Sequence, residues 1–134
     1  MHDDEIAAGA VIYTSDLDRA AAFYVAAVGF RERERKDTYV VLEANRFQLV
    51  LLQREGSAAG VPDPMAVPGE RRSEAAIKPA FVVPSIAAAR AAASATGGVI
   101  NELRHEWRFG IHRVCDGLDP DGNVIQLLER LREA

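Results

Sequence analysis

Residues 8–30 read AGAVIYTSDLDRAAAFYVAAVGF, and this stretch decides the fold. Its first seven residues, 8–14, are short, apolar and partly β-branched, the composition of a strand. Ser15 or Asp16 follows, with a side-chain oxygen able to accept from the first free amides of a helix. Leu17, Ala20, Ala21, Tyr24 and Val28 then recur at helical spacing, and Gly29 stands where a helix ends. Strand-like runs follow at 30–35, 38–44 and 46–53. The first, FRERER, is charged at almost every position and reads as an edge strand with a solvated face. The order is βαβββ.

The same order returns downstream. Residues 54–77 hold Gly56, Gly60, Gly69, Pro62, Pro64 and Pro68 among small and charged residues, which reads as a linker. Pro79 to Val83 is a strand, and Ser85 caps an Ala-rich helix to Ala95 that Gly97-Gly98 ends. Strands are expected at 99–104, 111–116 and 123–129, with a last helical turn in the tail LREA. A shift of 69 residues places Asp16-Leu17 on Ser85-Ile86, Gly29 on Gly98, Phe30 on Val99 and Gly9 on Lys78. The expected fold class is α+β in one domain, 1–134. Two βαβββ modules (about 8–53 and about 78–130) would stand in tandem, forming a curved mixed sheet with helices on the outer face. Repeated units of this kind bury together what neither buries alone. A concave sheet surface is a common place for a small ligand.

Composition removes other classes. The 16 Lys and Arg against 20 Asp and Glu give a net charge of -4, which argues against a nucleic-acid or anionic-membrane partner. No apolar run approaches the ~18 residues of a membrane span. Met1-His2-Asp3-Asp4-Glu5 is acidic where a secretory signal would be basic. Cys115 is the only cysteine, so no internal disulfide can form, and a reducing cytoplasm is the expected location.

The run YTSDLDRAAAFYVAAVGF, within 8–30, resembles the opening of a vicinal oxygen chelate protein. That family includes glyoxalase I, extradiol dioxygenases, and the bleomycin and fosfomycin resistance proteins. The closing run DPDGNVIQLLE, 119–129, is similar to the family's last turn and strand, so the resemblance spans nearly the whole chain. It implies a divalent metal held by one side chain from each of four strands, of the type His or Gln, Glu, His, Glu. Those positions fall here on Gly9, Leu51, Lys78 and Gln126. Glycine and leucine offer no donor and a protonated lysine repels a cation, so Gln126 stands alone and the implied chelate is lost. The resemblance also implies a homodimer, in which modules pair within one chain or between two. His105, His112 and Glu102 lie close together in sequence but lack zinc spacing, and read as surface or hydrogen-bonded residues.

Alternation along the strands orients the rest. If the four chelate positions face the concavity, so do Val11, Tyr13, Phe47, Leu49, Ala80, Val82, Val124 and Leu128. Ile12, Val50, Phe81, Ile125 and Leu127 then pack under the helices. Trp107 and Phe109 flank Arg108 between His105 and His112, on one side of the chain, placed to stack on a planar ligand. The ligand-binding set is therefore Tyr13, Phe47, Leu49, Leu51, Lys78, Trp107, Phe109, His112 and Gln126. The same apolar residues could instead fill a dry interface. Cys115 reads as a buried structural thiol, and Asp119 to Asn123 as turn chemistry with carboxylate caps.

Four functions compete on this reading. The first is a small-molecule binder without metal or other cofactor, similar to the drug-sequestering branch of the family. The second is a lyase or dioxygenase with a displaced metal site. The third is a metal-free enzyme using His112, Glu102 or Tyr13 as acid or base. The fourth is a partner domain without catalysis. Neither the ligand nor any catalytic residue is named by the sequence.

Overall fold

The structure is a computed structural model that describes residues 5–54 and 76–132. The elements run β1 (Ala8–Thr14), α1 (Leu17–Phe23), β2 (Arg31–Lys36), β3 (Tyr39–Ala44) and β4 (Phe47–Gln53). After them come β5 (Ala80–Val82), α2 (Ile86–Ala95), β6 (Val99–Ile100), β7 (Trp107–Phe109), β8 (His112–Leu118) and β9 (Val124–Arg130). The strands form two mixed sheets. The first has the order β1-β4-β3-β2; in the second, β5-β9-β8-β6 is joined by β7 on β8. In each, the first strand runs parallel to the last and the others are antiparallel. The class is α+β as expected, and among the described residues the strands are hydrogen-bonded into two sheets.

Local chemistry places the helices. The Asp16 side chain accepts from the Arg19 amide at 3.1 Å, and Ser85 Oγ accepts from the Ala88 amide at 3.0 Å. After α1 the coil widens into a π-helical stretch, Tyr24–Val28, closed by Gly29 at φ 98°. The amides of Gly29 and Phe30 both donate to the Tyr24 carbonyl. The widened turn keeps Phe23, Tyr24, Ala27 and Val28 all buried.

One core joins the modules. Phe81 of β5 meets the rings of Tyr24, Phe30 and Phe47 edge-on, with centroids 5.6–6.0 Å apart. Phe23 from α1 lies against Gly98, where a Cβ would fall 2.2 Å from its ring, so only glycine fits. The closing turn of the second module is built into the first. Asp119 accepts from the Tyr24 hydroxyl at 2.7 Å, from the amides of Asp121 and Asn123, and from the Asn123 side chain. Asp121 accepts from Thr14 Oγ1, Ser15 Oγ and the Ser15 amide. Burial pushes the Asp119 carboxyl above its ordinary range against the pull of its hydrogen bonds. Burial, then the charge of Asp119, pushes the Tyr24 hydroxyl well up, so it remains a donor.

Several expectations are corrected. The expected strand 99–104 is only Val99–Ile100, followed by a 3-10 turn at Leu103–His105 and the separate strand β7. Leu131 and Arg132 are not helical, and the rest of the tail lies outside the described residues. Of the linker, residues 55–75 also lie outside them. The edge strand β2 is exposed along its full length, as its charges require.

Candidate functional site

Each sheet turns one face to the helices, and no helix of the described residues covers the other. Cross-strand partners share a face, which fixes both sets. In the first sheet Ala10, Leu49 and Leu42 are partners, as are Ile12, Leu51 and Val40. Leu49, Leu51, Leu42 and Val40 are fully buried beneath α1. The open face therefore carries Gly9, Val11 and Tyr13 from β1, with Gln48, Val50 and Leu52 from β4.

The sequence reading placed β4 in the wrong phase. Phe47, Leu49 and Leu51 face the helix side, and Val50 faces out. Phe47 packs with Phe30 and Phe81 in the shared core. These three residues leave the ligand-binding set. The error has one cause: β4 is apolar on both faces, so alternation gives no phase. The phase is set instead by the two-residue turn Asn45-Arg46, both at positive φ, which pairs Ala44 with Phe47.

The second sheet carries Trp107, Phe109, His112 and Gln126 of the expected set on one face. Three cross-strand rows cross its open face. Phe109, His112 and Arg130 form the first. Trp107, Val114, Leu128 and Val82 form the second, and Asp116, Gln126 and Ala80 the third. Trp107 and Phe109 lie on a strand, not in a turn, and are 42% and 72% exposed. Sequence reasoning missed Asp116, Val114 and Arg130. The signal for them was the hairpin Phe109-Gly110-Ile111-His112, whose register puts every second residue of β8 and β9 on the face of Trp107. Tyr13 lies on the first sheet, 57% exposed, so the chain does not bring it into this grouping.

The four chelate positions do not make a donor set. At Gly9 a Cβ would stand 2.7 Å from the Gln48 carbonyl oxygen, so the backbone leaves no room for a ligating side chain. Leu51 is in the core. Lys78 is exposed, and its ammonium pairs with Asp116 Oδ2 at 3.0 Å. Gln126 Nε2 donates to Asp116 Oδ1 at 3.3 Å. Asp116 thus supplies the acceptor that Lys78 needs, and no ligand carboxylate is required there. Among the described residues no three His, Cys, Asp or Glu side chains are grouped as a metal site, and Glu102 is held by Arg104. Cys115 is buried on the helix side, where burial raises its pKa and Arg90 partly offsets the rise.

A concavity of about 860 Å³ lies between the modules, lined by Phe30, Arg31, Asn45, Phe47, Phe81 and Pro84 among others. It sits beside the β3–β4 turn and reaches the edge of the second sheet's open face, where Ala80 and Val82 also line it.

Comparison with known proteins now bears on this arrangement. A sequence model of the Glyoxalase/Bleomycin resistance protein/Dioxygenase superfamily matches residues 6–127. The chain belongs to that superfamily. The fold agrees with that of a glyoxalase/bleomycin resistance protein from Albidiferax ferrireducens T118, at TM-score 0.65 and 19% identity over 92% of this chain and 97% of the other. It is also similar to the bleomycin resistance determinant encoded on transposon Tn5, at TM-score 0.58 and 18% identity, covering 91% and 95%. Lactoylglutathione lyase from Agrobacterium tumefaciens gives 0.57 and 22%, with 90% of each chain covered. At these identities the likeness is one of fold. No curated protein matches the chain in sequence. No helix among the described residues is long and apolar enough to cross a membrane.

Proposed function

We propose that this superfamily member is a metal-free binder of planar or largely apolar small molecules, and that the open face of the second sheet holds the ligand. The observation that carries the reading is the row Trp107, Leu128 and Val82, an aromatic and aliphatic strip with Val114 buried among them, on a face that no helix of the described residues covers. Apolar surface with a few polar anchors is what such ligands need. Lys78, Asp116 and Gln126 satisfy one another at one end of the strip, so they bound it without demanding a metal.

The partner is a second copy of this chain. Val11, Tyr13 and Val82 are more than half exposed, on the open faces of the two sheets that the described residues form. An isologous pair would cover both faces from two sides. Elemental analysis and light scattering test the reading together. The expected results are less than about one-tenth equivalent of zinc, nickel, iron or manganese, and a dimer at micromolar concentration. Stoichiometric metal held by side chains would restore an enzyme of the lyase or dioxygenase type, and a monomer would remove the second copy.

A further inference from the structure

The first row of the second sheet's open face differs from the other two. Phe109, His112 and Arg130 lie side by side on β7, β8 and β9. The Leu131 amide donates to the Ile111 carbonyl at 2.8 Å and ties the end of β9 to the hairpin, which fixes Arg130 beside His112. The imidazole of His112 and the guanidinium of Arg130 therefore stand on directly opposite residues, so an anion lying between them can accept hydrogen bonds from both.

No carboxylate of the described residues supplies that anion. Asp116 is taken by Lys78 and Gln126. Glu129 is on the other face, where it accepts from the Ile86 amide at 2.7 Å. Glu106 is buried against Arg90, with Arg113 3.5 Å from its second oxygen. Glu102 is held by Arg104. Arg108, the next cation along the hairpin, donates only to the Gly110 carbonyl.

We propose that the ligand of this face is an aromatic carboxylate, its anionic group held between His112 and Arg130 and its ring system lying on Trp107, Leu128 and Val82. This inference rests on the reading of the open face given above and adds the chemical class and the direction of binding. The dimensions agree. Two residues along a strand span roughly 7 Å, so the face from Arg130 to Gln126 is about 13 Å long, the length of a two- or three-ring molecule with one acid group. The opposite end is already neutral through Lys78 and Asp116, so one orientation is favoured. Arg130 can give two parallel donors to a carboxylate.

The test compares 2-naphthoate with 2-naphthamide, which share a ring system and differ in charge. Both are titrated against the full chain, with the emission of Trp107, the single tryptophan, as readout. Hydrogen bonds to a charged group predict that naphthoate binds about 10-fold tighter or more. In Arg130→Gln, at an exposed position, the ratio should fall to about 3-fold or less while naphthamide binding is unchanged. Equal affinity of the two compounds for the natural chain, or an unchanged ratio in Arg130→Gln, overturns the carboxylate assignment and leaves the open-face reading standing. Failure of both compounds to alter the emission overturns the open-face reading, and this inference with it.

Discussion

The turn that joins β8 to β9 and the turn that joins β3 to β4 occupy corresponding places in the two modules, and they meet the opposite module differently. The first sets Asp121 against the end of β1, where Thr14 and Ser15 hold it, and Asp119 against the end of α1, where Tyr24 holds it. The second is only Asn45-Arg46, and between it and β5 there is a cleft with aromatic walls. Along the helices, the 69-residue shift that relates the modules puts Ala93 where the first has Tyr24, so the hydroxyl that reaches Asp119 has no counterpart. Duplication preserved the order of strands and helices, while the junctions diverged into a polar lock and an aromatic seam.

The two junctions should respond differently to mutation. Phe81→Ala removes the ring that Tyr24, Phe30 and Phe47 all contact, and is expected to cost about 4 kcal/mol in urea unfolding, with no pH dependence of its own. A cost below about 1 kcal/mol would mean that the seam does not join the modules.

Asp119→Asn should cost about 2 kcal/mol near neutral pH, because an amide can accept only part of what the carboxylate accepts. Here pH matters. Burial holds the folded pKa above the unfolded one, so the folded chain takes up this proton first as pH falls. That contribution is complete below the unfolded value and is lost as pH rises through the folded one. The advantage of the natural chain over Asp119→Asn should therefore be larger at about pH 4.5 than at about pH 7. Equal differences at both pH values would contradict a buried, proton-accepting Asp119. At the other turn Asn45→Ala should cost only about 1 kcal/mol, since it places alanine at φ 51° and breaks no bond across the junction.

How much of this was legible in the sequence follows from the range of each interaction. The βαβββ order, the caps at Asp16 and Ser85 and the edge character of β2 are local and could be read. The Asp119-Pro120-Asp121-Gly122-Asn123 turn was read as carboxylate capping. Asp119 does cap it, through the amides of Asp121 and Asn123. Its second role was not legible, because Tyr24 and Thr14 lie 95 residues before Asp119 and 107 before Asp121. The phase of β4 failed because FQLVLLQ is apolar on both faces. β7 failed because three residues carry too little pattern, although the shared side of Trp107 and Phe109 was still recovered from alternation.

The central claim is that ligand meets the open face of the second sheet and neither the cleft at Asn45 nor the helix side. Amide shift mapping by nuclear magnetic resonance, during titration with 2-naphthoate, tests it directly. The shifts should concentrate at Trp107, Phe109, His112, Val114, Gln126, Leu128 and Arg130, with Leu49, Leu51 and Phe47 unmoved. Shifts centred on Asn45, Phe47, Phe81 and Pro84 would place the ligand in the cleft and contradict it.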